Sequence, residues 1–593
     1  MSIFVERRRP AFTPDLLLRV VLAWAMISAL LLVTNLAAIL AYRFPDPDDT
    51  LRLIQVRDLI AGQSWFDVTQ YRIDAANGGV AMHWSRLVDL PIAALILLLK
   101  GMVGPDAAEM TALIAIPLLT FGVALLLAGR IAWRLLGDEA AGFACLAMAL
   151  SVPVIEQLRP MRIDHHGWQI VCALAVMNAL MARRPIFGGW IAGLVMAIWL
   201  AISIEGLPLV AAICGITAIR WLRDRHESAW FVGTMQGLAA GSLGVFALTR
   251  GFGDLAQHCD AISPVHIGTF VIGAFAATGM ARLEPLPRFA QLAGFGLIAG
   301  LGFVTLQSFA PACTTGAFSQ LDPLAHAFWY TGVGEGLSVW DQTLDVALQV
   351  VIPPMVALVA CVKLAGRSGG WLRGWWHDYA LVLLAAFAVS LFVVRAGAVA
   401  GALSAVPLGW QVREWLRSAR NRRRPAKRAL VMAGMALALL PAMPLTLLTL
   451  ARPAQASIGS VAGPRVSACR IGDSADLLNA LPPGEILAPL DIGPQLLLET
   501  HHSVVATGHH RGGAGMHTAI AAFLGNPEAA RTALAKRGTR YIALCPDLAE
   551  PARYLAAAPE GFMADLLDHR APAWLDPVSV DGSGRLEIYR IRD

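Results

Sequence analysis

Charge is what this sequence has least of. Acidic and basic side chains make up 15% of its 593 residues and hydrophobic ones 56%, whereas soluble domains carry about 25% charged residues. With a mean hydropathy of +0.59, that shortage excludes a wholly soluble enzyme and puts most of the chain in lipid. The basic surplus is also slight, a net +5, and Lys and Arg stand in short clusters between apolar runs. Such clusters are orientation signals for a membrane, and no nucleic-acid partner is expected. The eight cysteines contain no C-x-x-C pair. No G-x-x-x-x-G-K-[ST] loop and no G-x-S-x-G elbow occurs, so ATPase and α/β-hydrolase chemistry find no support. Repeats and low-complexity segments are absent too.

What is present is a series of apolar runs. The first, Leu16 to Tyr42, exceeds the roughly 7–15 residues of a signal-peptide core, so it reads as a retained span. Further spans are expected at about 108–128, 141–157, 167–182, 187–203, 207–221, 229–250, 268–282, 290–308, 344–365, 378–394, 396–411 and 429–450. That makes about 13 transmembrane helices. The basic clusters VERRR, GRIAWR, ARRP, IRWLRDRH, KLAGRSGGWLR and VREWLRSARNRRRPAKR all fall on one side if the N-terminus is cytoplasmic. This parity requires the stretch at about 88–104, which contains Lys100, to be an interfacial or re-entrant helix and not a span. The outer loops then include 43–107, 158–166, 204–206, 251–267 and 309–343.

Residues 1–451 thus form the membrane domain and 452–593 a far more polar exoplasmic domain. RYIAL and RLEIYRI there alternate like strands, HTAIAAFLGNPEAARTALAKRG reads as helix, and LPPGE and DGSGR punctuate turns. The fold class is an α-helical polytopic membrane protein with a C-terminal α/β domain. Cys145, Cys172, Cys214 and Cys361 lie in apolar runs and are small hydrophobes. Cys469 and Cys545 are expected to pair if their domain lies outside the cytoplasm, with Cys259 and Cys313 a less expected second pair.

This topology brings several polar motifs to one membrane face. FPDPDD carries Asp46, Asp48 and Asp49; RIDHHGW carries Asp164, His165 and His166; GVGEGLSVWD carries Glu335 and Asp341. For DHH alone a solvated loop is the competing reading. Carboxylates with one imidazole suit Mg²⁺ or Mn²⁺ better than a zinc structural site. Arg395 interrupts an apolar stretch, where it is either an ordinary Arg reaching for the outer interface or a cation held for a phosphate group. Five histidines, His501, His502, His509, His510 and His517, crowd ETHHSVVATGHHRGGAGMH. Paired neighbours on a strand point to opposite faces, so a covering loop is preferred there to a metal site, with Arg511 a candidate anion contact.

In these motifs the chain resembles a GT-C glycosyltransferase, most closely the catalytic subunit of archaeal and bacterial oligosaccharyltransferases. FPDPDDTLRL resembles that family's first-loop motif, with Asp46 and Arg52 at its spacing, and GGVAMHWSRLVDLP resembles the stretch closing the loop. RIDHHGWQ matches its D-x-H motif at Asp164 and His166, GVGEGLSVW its later-loop Glu at Glu335, and Arg395 its phosphate-side Arg. The resemblance implies a metal set of Asp46, Asp164, His166 and Glu335, with Arg395 on the donor phosphate. It makes Asp46 the first choice for the acid that orients or deprotonates the acceptor and Asp48 the next. Arg52, His83, Trp84, Arg86, His165 and Arg511 are candidate acceptor or donor contacts.

The family's W-W-D-Y-G motif, which reads the Ser or Thr of a protein acceptor, has no true counterpart. GWWHDYA at 374–380 falls on the cytoplasmic side, and Asp491-Ile492-Gly493 stands nearer the expected place without tryptophans. The expected function is therefore an inverting, metal-dependent transfer of a sugar or oligosaccharide from a polyprenyl-(pyro)phosphate donor to a glycan, lipid or protein acceptor of the envelope. A flippase for lipid-linked saccharide and a protein oligosaccharyltransferase with divergent acceptor recognition are the alternatives. Composition points to a bacterial plasma membrane, with the C-terminal domain periplasmic; oligomeric state is left open.

Overall fold

The computed structural model describes residues 12–316, 318, 321–451, 469–580 and 586–592. The VERRR cluster and the DGSGR turn lie outside the described residues. Two compact units are formed. One comprises Met1–Arg43, Trp84–Ala317 and Gly334–Arg452; the other comprises Phe44–His83, Phe318–Val333 and Pro453–Asp593. Residues 44–83 and 318–333 count with the C-terminal unit and not with the helices that flank them.

The regular secondary structure among the described residues of the first unit is all helical. Nine of its helices are long and apolar enough to cross a membrane, among them Pro14–Leu40, Pro105–Leu136, Pro185–Ile202, Leu344–Arg367 and Gly370–Phe392. Each of the thirteen expected apolar runs is helical, and the others fall short for visible reasons. Asp138–Ala149 and His166–Ala179 have 12 and 14 residues. Gly397–Arg420 carries Gln411, Arg413, Glu414, Arg417 and Arg420. The run at 429–450 breaks into Pro425–Leu439 and Met443–Ala451, because Pro441 has no N–H to continue the first. Residues 88–103 lie in the helix Arg86–Val103, capped by Gly104, which contains Arg86, Asp89 and Lys100 and is not one of the nine.

Packing in this unit follows membrane rules, where small residues let backbones approach. Pro185–Ile202 and Ser228–Thr249 meet through Gly189, Gly193, Gly233 and Gly237. A Cβ on Gly193 would run into the Thr234 carbonyl and the Leu238 N–H, and one on Gly237 into the Trp190 carbonyl. Cys259 and Cys313, flanking two of the helices, are joined by a disulfide, while the four apolar-run cysteines are free.

The second unit holds a short hairpin, β1 (Thr69–Gln70) with β2 (Val80–Ala81). It also holds a five-stranded sheet of β3 (Glu485–Leu487), β4 (Ser503–Val504), β5 (Thr539–Leu544), β6 (Leu575–Ser579) and β7 (Glu587–Ile591). The order is β4-β3-β5-β7-β6, with β3 parallel to β4 and β5, and β7 antiparallel to β5 and β6. RYIAL lies in β5, and Glu587–Ile591 of the second alternating stretch form β7. The stretch read as one helix is two, Gly513–Leu524 and Pro527–Arg537, since Pro527 opens a new helix capped by Asn526. A disulfide joins Cys469 to Cys545.

The first-loop segment is built into this sheet. Ile73 bridges Val504 of β4, the Arg72 guanidinium donates to the Leu497 and Thr500 carbonyls at 2.7 and 2.8 Å, and buried Asp74 pairs with Arg537 at 2.7 Å. These polar ties to backbone explain why residues 44–83 fold with the C-terminal sequence.

Candidate active site

Four short segments of the helical unit converge their polar side chains. The connection before His166–Ala179 supplies Arg162, Asp164, His165 and His166, all buried. Its tight turn needs Gly167, where a Cβ would lie 2.9 Å from the Gln157 carbonyl. The 3₁₀ turn Ile204–Gly206 supplies Glu205, the turn Gly334–Gly336 supplies Glu335, and the turn Val394–Ala396 supplies Arg395. The last two are held together by a bond from the Val394 N–H to the Leu337 carbonyl at 3.0 Å.

His166 stands at the centre. Its Nε2 lies 3.4 Å from Asp164 Oδ2 and 3.7 Å from Glu335 Oε1, and its Nδ1 lies 3.9 Å from Glu205 Oε2. His165 Nδ1 bonds the other Asp164 oxygen at 2.7 Å. Behind the ring, the Trp199 indole N–H donates to Gln169 Oε1 at 3.1 Å, which turns the Gln169 amide nitrogen to within 3.2 Å of His166 Nδ1. Arg395 pairs with Glu205 and with Glu335, the latter at 3.4 Å, while Arg162 reaches the second Glu335 oxygen at 3.2 Å.

Asp164, Glu205 and Glu335 against Arg162 and Arg395 give three negative charges and two positive, a net −1 with neutral imidazoles. Ligands of a six-coordinate cation bound at 2.0–2.6 Å stand about 3–3.6 Å apart. The contact of His166 Nε2 with Asp164 has that spacing, and ligand atoms of Asp164, His165 and His166 lie within 4.8 Å of one another, a group that could hold a metal ion. Adding a divalent ion would turn the site net positive, as an anionic ligand requires.

The structure thus brings Asp164, His165, His166, Glu335 and Arg395 together. Sequence reading missed Glu205, Arg162 and Gln169. Glu205 left a signal, a lone carboxylate between two apolar runs in AISIEGLPL, where a charge at the membrane edge is costly.

Of the other expected residues, Asp46, Asp48, Arg52, His83 and Arg511 belong to the second unit. Asp46, in the second unit, is the N-cap of Pro47–Ile60, its Oδ1 accepting the Asp48 N–H at 2.9 Å. Asp48 sits in the first turn, and Arg52 is fully buried one turn on. The Asp491 carboxyl is pushed up from its ordinary value by desolvation, with Arg553 opposing and the Asp46 charge adding. Trp84 is buried, and Arg86 forms a fully buried pair with Asp89 at 3.3 Å. GWWHDYA is a packing element: Trp375, Trp376 and Tyr379 are buried, and Asp378 is gripped by Arg220 at 2.6 Å and Arg223 at 3.4 Å.

The site thus gathers carboxylates, imidazoles and two guanidinium groups from separate turns of a helical fold that has nine membrane-length apolar helices among the described residues. No family model matches the chain, and no curated protein matches it in sequence. Among solved structures it is similar to the archaeal oligosaccharyltransferase AglB from Archaeoglobus fulgidus in complex with an inhibitory peptide and a dolichol-phosphate. The TM-score is 0.68 at 16% identity, over 95% of this chain and 72% of that one. The same archaeal enzyme tethered to an acceptor peptide containing the NVT sequon gives 0.65 at 14% identity over 95% and 72%. Its complex with Zn and sulfate gives 0.63 at 14% over 92% and 70%. The chain therefore has the oligosaccharyltransferase-like GT-C fold that its motifs suggested.

Proposed function

We propose that the protein is an inverting glycosyltransferase that moves a sugar or oligosaccharide from a polyprenyl-(pyro)phosphate donor to an acceptor at the outer membrane face. The single observation that carries this reading is the convergence of Asp164, His166, Glu335 and Arg395 from separate turns. The fold likeness to an archaeal oligosaccharyltransferase in complex with a dolichol-phosphate supports it.

In this reading the bond from the anomeric carbon to the phosphate oxygen breaks as a bond to the acceptor forms on the opposite face. The electron pair of the broken bond leaves with the phosphate. Arg395 receives that charge, since a guanidinium matches two phosphate oxygens at once. Asp164, His166 and Glu335 would hold a divalent ion, Mg²⁺ or Mn²⁺, which supplies Lewis-acid stabilisation of the leaving group. Gln169, held by the Trp199 indole, lies with its amide nitrogen 3.2 Å from His166 Nδ1 and orients the ring. Asp46, through its motif, is assigned the acceptor proton, with Asp48 as the next choice.

The acceptor is a glycan, lipid or protein of the envelope. A sequon-reading pocket lacks support, because the WWHDY run is committed to packing and to Arg220 and Arg223. The two disulfides suit an oxidising compartment for the loops and domain that carry them, which favours a periplasmic C-terminal domain in a bacterial plasma membrane.

The test is the leaflet on which lipid-linked saccharide accumulates in cells lacking the protein. Accumulation on the outer leaflet is expected. Accumulation on the cytoplasmic leaflet would instead assign the protein to flipping.

A further inference from the structure

The five-histidine stretch does not stay together. His502 is buried on the Leu478 and Gly484 carbonyls at 2.8 and 3.2 Å, His517 pairs with Asp322 at 3.0 Å, and His501 is exposed. His509 and His510 instead meet a histidine more than four hundred positions earlier in the chain. His83, two residues beyond β2, has its Nδ1 3.0 Å from His509 Nε2, and its ring centroid is 4.8 Å from that of His510. One ligand nitrogen from each of the three lies within 4.8 Å of the others.

The expectation that adjacent histidines diverge assumed a strand. Residues 509–512 are a turn, with His509 capping the 3₁₀ helix His510–Gly512, and the two rings lie side by side at 22°. A turn has no period of two, so neighbouring side chains share a side.

We propose that His83, His509 and His510 form a binding site for a borderline transition-metal ion, Zn²⁺ in the first instance, that clasps residues 80–83 to residues 509–512. Three imidazoles without a carboxylate select zinc-like ions over Mg²⁺. Tetrahedral ligands about 2.0–2.1 Å from zinc stand about 3.3–3.4 Å apart. The His83–His509 pair is already near that bite, and rotation of the half-exposed His510 supplies the third. The surroundings organise the site. The Arg511 guanidinium donates to the Ala81 and Met82 carbonyls at 3.3 and 3.4 Å, which fixes one ligand segment against the other and directs its charge onto those oxygens. Phe318 meets the His510 ring edge-on at a centroid distance of 5.0 Å. Three protein ligands leave a fourth position for water or an anion. The site shares no residue with the Asp164 cluster.

The experiment uses the full chain in detergent, stripped with chelator and titrated with Co²⁺ and then Zn²⁺. A visible d–d band of a tetrahedral site is expected, displaced by Zn²⁺. Hydrogen exchange should slow at 78–84 and 505–515 when Zn²⁺ is bound. His509→Ala with His510→Ala should lose the band, lower bound Zn²⁺ by one per chain, and abolish that protection. His83→Gln, on a different segment, should weaken Zn²⁺ binding at least tenfold, and unchanged melting in chelator will certify that the variants fold. Equal stoichiometry, affinity and spectrum in wild type and these variants overturns the proposal. Asp164→Ala with His166→Ala should keep the band; if it alone removes the band, the histidine site is wrong. If neither set changes Mg²⁺ or Mn²⁺ binding while the histidine variants lose Co²⁺, the cation assignment under the proposed function fails and this one stands.

Discussion

Arg395 is ion-paired with Glu205 across 190 positions of sequence, and the same guanidinium reaches Glu335 at 3.4 Å. Both carboxylates are about a third exposed, Arg395 much less so, so the cation is fixed from below and its carboxylate partners are the accessible side. An anionic leaving group binds there only if its own match to the guanidinium competes with two carboxylates. Arg395→Ala should lower sugar transfer at least a hundredfold in proteoliposomes. Arg395→Lys should recover less than a tenth of that loss, since a point charge cannot span two oxygens. Glu205→Gln should cost roughly tenfold in turnover, about 1.4 kcal/mol of barrier. Wild-type rates in Arg395→Lys would remove the bidentate role.

Asp164→Ala and Glu335→Ala each remove an oxygen within 3.4 or 3.7 Å of His166 Nε2. Transfer should fall below detection in both, with membrane insertion and expression unchanged. EDTA should stop the wild type, and Mn²⁺ or Mg²⁺ should restore it. Full activity in chelator would refute the cation reading while leaving the Arg395 prediction standing.

Asp46 has a structural duty that an alanine scan would confuse with a chemical one. Its Oδ1 caps Pro47–Ile60, and loss of such a cap costs about 0.5–2 kcal/mol. Asn caps as well as Asp, so Asp46→Asn keeps the helix start and removes the charge. A hundredfold or greater loss of transfer at wild-type melting temperature is expected. If Asp46→Asn is active, the residue is a cap alone, and Asp48→Asn becomes the variant to measure.

Much of this was readable in the sequence, and where it was not the reason is physical. Apolar runs announce helices because lipid leaves the backbone no other partner, so the nine membrane-length helices among the described residues were visible, and the four remaining runs were helical but too short, too charged or, as at Pro441, interrupted. Asp164, His166, Glu335 and Arg395 were legible because carboxylates, imidazoles and guanidiniums beside apolar runs demand a reason. Glu205 was passed over, although its turn was read as an outer loop, because a single residue between spans forms no motif. The His83 partnership was beyond reach: the sequence shows five neighbours in one stretch, but only the tertiary ties of Arg72, Asp74 and Arg511 bring the first loop to two of them. GWWHDYA shows the opposite risk, a run that imitates a recognition motif and is spent on packing.

The contact between Pro185–Ile202 and Ser228–Thr249 rests on absent side chains. Gly193→Val or Gly237→Val places methyl groups where the facing backbone already stands. Because both sides are main chain, neither can yield by changing rotamer. A cost of about 1–3 kcal/mol is expected from overpacking, read as a lower melting temperature in detergent. Gly215→Val, at a glycine whose added Cβ meets nothing within 4 Å, is the control and should melt like the wild type.

Glu550 gives the second unit a pH dependence whose sign follows from its surroundings. The carboxylate is buried and accepts the Leu490 and Asp491 N–H groups at 2.8 and 2.9 Å and the Tyr554 hydroxyl at 2.8 Å. Burial, helped by the Asp491 charge, still pushes it up from the ordinary 4.5 to about 7, against the pull of those donors. The folded unit therefore binds a proton that the unfolded chain has released between those two values. Its contribution to stability is complete below about pH 4.5 and is lost as pH rises through 7. Hydrogen exchange at β3 and its following turn, corrected for intrinsic rate, should show protection declining across that window. Glu550→Gln should flatten the decline, because an amide does not titrate. Its protection should also be lower at every pH, since the amide nitrogen now faces one of two backbone donors and leaves it without an acceptor, at roughly 1–3 kcal/mol. A wild type whose protection rises from pH 4.5 to 7 would show that the two N–H donors, and not burial, govern this carboxyl.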